Sequence, residues 1–108
     1  MSNEQIADLR RKADQGDPEA QFGLGLAYSL GHGVPQDYAK ARQWYEKAAA
    51  QGYTDAHVGL KMLADQGDPE AQFGLGLVYA NGLYGVPQDF VKARQWYERA
   101  AAQGNGMA

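Results

Sequence analysis

The spacing of apolar and polar positions is helical along most of the chain. From Ala20, small or apolar residues return at Gly23, Leu24, Ala27 and Tyr28, the i, i+3, i+4, i+7, i+8 spacing of one helix face. Phe22, Leu26 and Leu30 form a second stripe on another side of that helix. Its start is set by local chemistry. Asp17 is an N-cap, Pro18 suits the first helical position, and Glu19 places negative charge at the positive end of the helix dipole. Gly31 and Gly33 break the helix and Pro35 stiffens the turn. Asp37 then caps a second helix through Tyr38, Ala41, Trp44, Tyr45, Ala48 and Ala49, which stops at Gly52.

This helix pair occurs twice. Residues 13–52 return at 64–104 with one residue inserted, where SLGHG becomes ANGLYG; seven of forty aligned positions differ. The second pair is predicted from Asp68 to about Asn81 and from Asp89 to about Gln103. Two further helices flank the pairs. Ser2 and Gln5 form a capping box ahead of Ile6, Leu9 and Ala13, and Thr54 or Asp55 opens a helix through Ala56, Val58, Leu60, Met62 and Leu63. The expectation is an all-α chain of about six helices, antiparallel pairs forming a short α-α superhelix or solenoid. It forms a single domain, 1–108, of two near-identical three-helix units, 2–52 and 53–108.

Composition supports helices and removes several functions. One Ile, one Thr and five Val against eighteen Ala starve strands and favour helices. At 44% hydrophobic and 21% charged the chain has the make-up of a folded globular protein, and no stretch approaches the roughly 20 apolar residues of a membrane span. The net charge of −3, with signs interspersed, offers no basic field for nucleic acid. With no Cys there are no disulfides and no thiol chemistry. If Met1 is the natural start, the lack of a signal-peptide apolar run implies a cytoplasmic protein.

Ala20, Leu24, Gly25, Tyr28, Gly31, Gly33, Val34, Asp37, Lys40, Ala41, Ala48, Ala49 and Gly52 spell A-x3-LG-x2-Y-x2-G-x-GV-x2-D-x2-KA-x6-AA-x2-G, and the second copy repeats it. This pattern resembles the Sel-1-like repeat (SLR) family, related to tetratricopeptide repeats, with Trp44 and Tyr45 in the family's aromatic stretch. Gly16 to Gly52 spans 36 residues, the length of such a repeat, and Gly67 to Gly104 spans 37, whereas only 15 separate Gly52 from Gly67. One repeat has collapsed there into a single helix. The resemblance implies a non-catalytic protein- or peptide-binding adaptor or scaffold. It also implies a binding face on the second stripe, at Glu19, Phe22, Leu26, Ser29 and Leu30 and at Glu70, Phe73, Leu77, Ala80 and Asn81. Exposed, these mark a partner site; covered by neighbouring helices, they are core.

Sites for chemistry are few. Gly23 and Gly25 fall inside a helix with no strand before them, so they read as packing glycines rather than a dinucleotide loop. His32 and His57 have no third ligand at metal spacing, and no Ser, His and acid constellation can be assembled. Asp14, Asp17 and Glu19, like Asp65, Asp68 and Glu70, straddle helix starts, where caps explain them. No cofactor, metal or catalytic activity is expected. Trp44, Tyr45, Trp96 and Tyr97 are expected to fill space beside the small residues of the preceding helix. The alternative function is a self-assembling structural unit, including a domain-swapped homodimer. Both ends look like parts of repeats, which would leave Ile6, Leu9, Trp96 and Tyr97 at open faces.

Overall fold

The computed structural model describes residues 2–104, which form six helices: α1 (Asn3–Asp14), α2 (Pro18–Leu30), α3 (Tyr38–Ala50), α4 (Asp55–Asp65), α5 (Pro69–Asn81) and α6 (Phe90–Ala102). The C-terminal end expected to be part of a further repeat, after Gly104, lies outside the described residues. The side-chain caps anticipated for α1, α2, α3, α5 and α6 are made. Ser2 and Gln5 form the reciprocal box of α1, and Asp17 and Asp68 accept hydrogen bonds from the amides of Glu19 and Ala71 at 3.0 and 3.2 Å. Asp37 and Asp89 accept from Lys40 and Lys92 at 3.1 and 3.0 Å.

The chain divides into two compact units, one running to Gly59 and the other starting at Leu60. The division therefore falls inside α4, beyond the turn at Gly52 where the pattern had placed it. The first half of α4 stays with the first unit because Gly59 lies against the Tyr45 ring; a methyl group at Gly59 would approach Tyr45 Cζ to 2.7 Å.

In the first unit, Ala13, Ala20 and Leu24 are buried together, with Leu9 and Trp44 packed on them. Tyr45, 1% exposed, lies across α2 at Gly25, where any Cβ would fall on its ring. The second unit repeats the device, with Tyr97 across α5 at Gly76. Of the four aromatics expected to be core, Tyr45 and Trp96 are buried, while Trp44 and Tyr97 are half-buried. Cations cover the tryptophans: Lys47 lies 4.5 Å from the Trp44 centroid and Arg99 4.3 Å from Trp96, so this difference between the copies preserves its role. The packing reading holds at Gly25 and Gly76 and at Gly23, where a Cβ would meet Leu9 Cδ2 at 3.3 Å. It fails at Gly74, which has nothing within 4 Å of that position.

Each unit also contains a glutamine clamp. Buried Gln21 donates to the Ala13 carbonyl at 3.2 Å and accepts from Gln51 at 2.8 Å, tying the ends of α1 and α3 to the first turn of α2. Gln72 donates to Ala64 at 2.9 Å and accepts from Gln103 at 2.6 Å in the second unit. The loops are pinned alike, with the amides of Asp37 and Asp89 donating to the carbonyls of Tyr28 and Tyr79 at 2.9 and 2.8 Å. The extra residue of the second loop is absorbed at Tyr84, which takes a left-handed φ of 57°.

Candidate docking groove on the first unit

The stripe expected to meet a partner is split by the structure. Glu19 is exposed, Phe22 and Leu26 are half-buried, and Leu30 is 49% exposed. Ser29 is the exception: only 3% exposed, its side chain is hydrogen-bonded to the Tyr45 hydroxyl, so it belongs to the core rather than to a binding face. A buried hydroxyl needs such a partner, and the small side chain fits beneath the tyrosine. In the second copy Glu70, Leu77 and Asn81 are exposed, Phe73 and Ala80 half-buried. Asn81 donates back to the Leu77 carbonyl at 3.0 Å.

Phe22 does not stand alone. Its ring centroid lies 5.7 Å from Tyr45, tilted by 38°, and 5.4 Å from Tyr53, edge-on at 73°. Tyr53 follows the turn at Gly52 and is brought over α2 by the chain's passage into α4. Phe22 and Tyr53 border an open groove of about 500 Å³ between α1 and the first turns of α2, lined also by Leu9, Lys12, Asp17, Glu19, Ala20 and Gly23. The Tyr53 phenol is pushed above its ordinary range by desolvation, then by the carboxylates of Asp55, Glu19 and Asp17. Two of the anticipated residues, Glu19 and Phe22, thus come together here, whereas Leu26 and Leu30 do not line the groove.

Leu9, Lys12 and Tyr53 were not singled out as site residues from the sequence. A signal was present for Tyr53 and Lys12: they are among the places where the units diverge, with Asn105 after Gly104 and Leu63 at the position of Lys12. In the second unit Phe73 meets Tyr97 at 5.6 Å and 40°. A separate open groove of about 500 Å³ runs along α6 past Trp96 and Arg99, and Arg99 approaches Asp65 at 3.6 Å. Among the described residues no three His, Asp or Glu side chains gather as metal ligands, and no helix is long and apolar enough to cross a membrane.

Helix pairs repeated in sequence, crossed at glycine under a tyrosine ring and carrying a half-buried aromatic stripe, define a helical repeat protein. The Sel1 repeat model matches residues 18–53 and 69–105, and the chain belongs to that family. It is 28% identical, over all of its length, to the chitin synthase regulator SKT5 of Malassezia restricta, and 31% identical, over 81% of its length, to the ERAD-associated E3 ubiquitin-protein ligase component HRD3B of Arabidopsis thaliana. It spans only 9% and 17% of those two proteins. The crystal structure of a Sel1 repeat protein from Oxalobacter formigenes is 35% identical, with a TM-score of 0.48 over 95% of this chain and 92% of that one.

Proposed function

We propose that this chain is a non-catalytic protein- or peptide-binding module of an adaptor or scaffold, and that its partner docks in the groove beside Phe22. The observation that carries this reading is Phe22 itself, a half-buried ring between Tyr45 and Tyr53 at the edge of an open groove. A large aromatic left partly uncovered in a concavity is the kind of side chain that dominates binding energy. The names of the two relatives, a synthase regulator and a ligase component, are in keeping with a binding role. Selection of a displayed peptide library on the wild-type protein tests it. Enriched peptides should lose about 2 kcal/mol of affinity on Phe22→Ala while the variant keeps its helical circular dichroism. Unchanged affinity, or cooperative unfolding of the variant, overturns the reading and makes Phe22 structural.

A second reading, self-association as a homodimer, is favoured by Phe90 and Val91, which are 68% and 58% exposed on the first turn of α6. They replace the positions first considered, since Ile6 and Trp96 are buried and Leu9 and Tyr97 half-buried. Sedimentation equilibrium decides it. A single-chain mass across micromolar concentrations sinks the dimer; a doubled mass lost in Phe90→Ser, Val91→Ser supports it.

A further inference from the structure

We infer that the groove beside Phe22 selects a peptide segment in which a lysine or arginine neighbours an apolar side chain. This rests on the peptide-binding reading above and adds the chemistry of the partner.

The argument is one of charge and of unpaired rings. Asp17 and Glu19 line the groove together with Tyr53, and Asp55 opens α4 two residues after it. Among the described residues none of the three has a cationic partner. Lys12, the cation in the groove lining, is engaged elsewhere, with Nζ 3.3 Å from Asp8 Oδ2. The N-termini of α2 and α4 offset about half a charge each, which leaves the rim negative.

The aromatic rings tell the same story. Four rings in this fold carry a cation of the chain itself: Lys40 over Tyr28, Lys47 over Trp44, Lys92 over Tyr79 and Arg99 over Trp96, at 4.3 to 5.4 Å, which shows the geometry such a contact takes here. Among the described residues, no cation covers Phe22 or Tyr53. A basic side chain from a partner would lie against these rings with Asp17 and Glu19 in the same lining and Asp55 at the start of α4, the arrangement in which cation–π attraction and ion pairing add. The neighbouring floor suits an apolar side chain, because Leu9, packed against Gly23, and Ala20 line it. The second copy keeps Asp68, Glu70 and Phe73 but has Asn105 for Tyr53 and Met107 for Asp55. It therefore serves as a reference with the same cap chemistry and a different groove.

The test uses the full chain and three fluorescein-labelled hexapeptides, Gly-Lys-Leu-Lys-Leu-Gly and its versions with Glu or Gln in place of Lys, followed by fluorescence anisotropy. The Lys peptide should bind at least about tenfold more tightly than the Glu peptide, with the difference shrinking as salt rises from 0.05 to 1 M. Asp17→Asn, Glu19→Gln, Asp55→Asn together should remove that preference; Asn still caps α2, so the fold is kept. Asp68→Asn with Glu70→Gln should retain it. Equal binding of the Lys and Glu peptides overturns the inference, as does an equal loss in the two variants, which would assign the effect to net charge. If the triple variant does not fold, a salt-independent wild-type preference overturns it instead. Charge-blind binding that still depends on Phe22 leaves the docking reading standing without this partner chemistry. Absence of Phe22-dependent binding by any of the three peptides and by library-selected peptides removes both.

Discussion

A single methyl group sorts the helix glycines into two kinds. At Gly25 and Gly76 a Cβ would fall on the rings of Tyr45 and Tyr97; Tyr45 is buried between Gly25 and Gly59 and yields least, whereas the half-buried Tyr97 has room to shift. Gly25→Ala and Gly76→Ala should each cost about 1–3 kcal/mol. At Gly74 the space is open, and Gly74→Ala should stabilise by about 0.5–1 kcal/mol through helix propensity alone. Urea unfolding of the three variants checks both signs. The same Tyr45 gives the protein an alkaline limit. Burial raises its phenol above the usual value near 10, more than the hydrogen bond to Ser29 lowers it. The unfolded chain therefore loses this proton first. The contribution to stability is intact below about pH 10 and is lost as pH rises through the folded value. Urea midpoints between pH 8 and 11 should fall less steeply in Tyr45→Phe than in wild type; equal slopes would mean that Tyr45 does not carry the effect.

At the scale of elements, the clamp formed by Gln21 and Gln51, and again by Gln72 and Gln103, joins helix ends that no apolar contact alone would register. Removing Gln72 takes one hydrogen bond from the Ala64 carbonyl, which keeps the Gly67 amide at 3.0 Å, and returns the exposed Gln103 amide to water, a cost of about 0.5–1.5 kcal/mol. A double-mutant cycle of Gln72→Ala and Gln103→Ala should show coupling of about 0.5 kcal/mol or more, and additivity would mean the bond contributes nothing. The helices themselves were legible in the sequence, because Asp-Pro, Ser-x-x-Gln and terminal glycine act within a few residues of where they stand. The clamp was not, since its glutamines lie 30 and 31 positions apart and a buried Gln looks like any surface Gln in a helical pattern. The site was half legible for the same reason. Glu19 and Phe22 follow from the stripe on α2, whereas Lys12 and Tyr53 reach the groove from other segments, and Ser29 is claimed by a tyrosine sixteen residues away.

The whole molecule holds two units that share most of their sequence and yet differ at the residues around the proposed groove. Phe22→Ala should weaken capture of a groove-binding peptide by about 2 kcal/mol, and Phe73→Ala should leave it within about a factor of two, because Phe73 lies in the unit whose Tyr53 and Lys12 counterparts are Asn105 and Leu63. Competition titrations with one labelled peptide distinguish these outcomes. Calorimetry should give one peptide per chain; two would place a working groove in each copy. A single peptide per chain would mean that the repeat enlarges the scaffold without doubling its valency. A surface crowded with ligand would gain no avidity from one such chain, and two chains would have to be joined, by a tether or by association, before the millimolar effective concentrations of linked sites came into play.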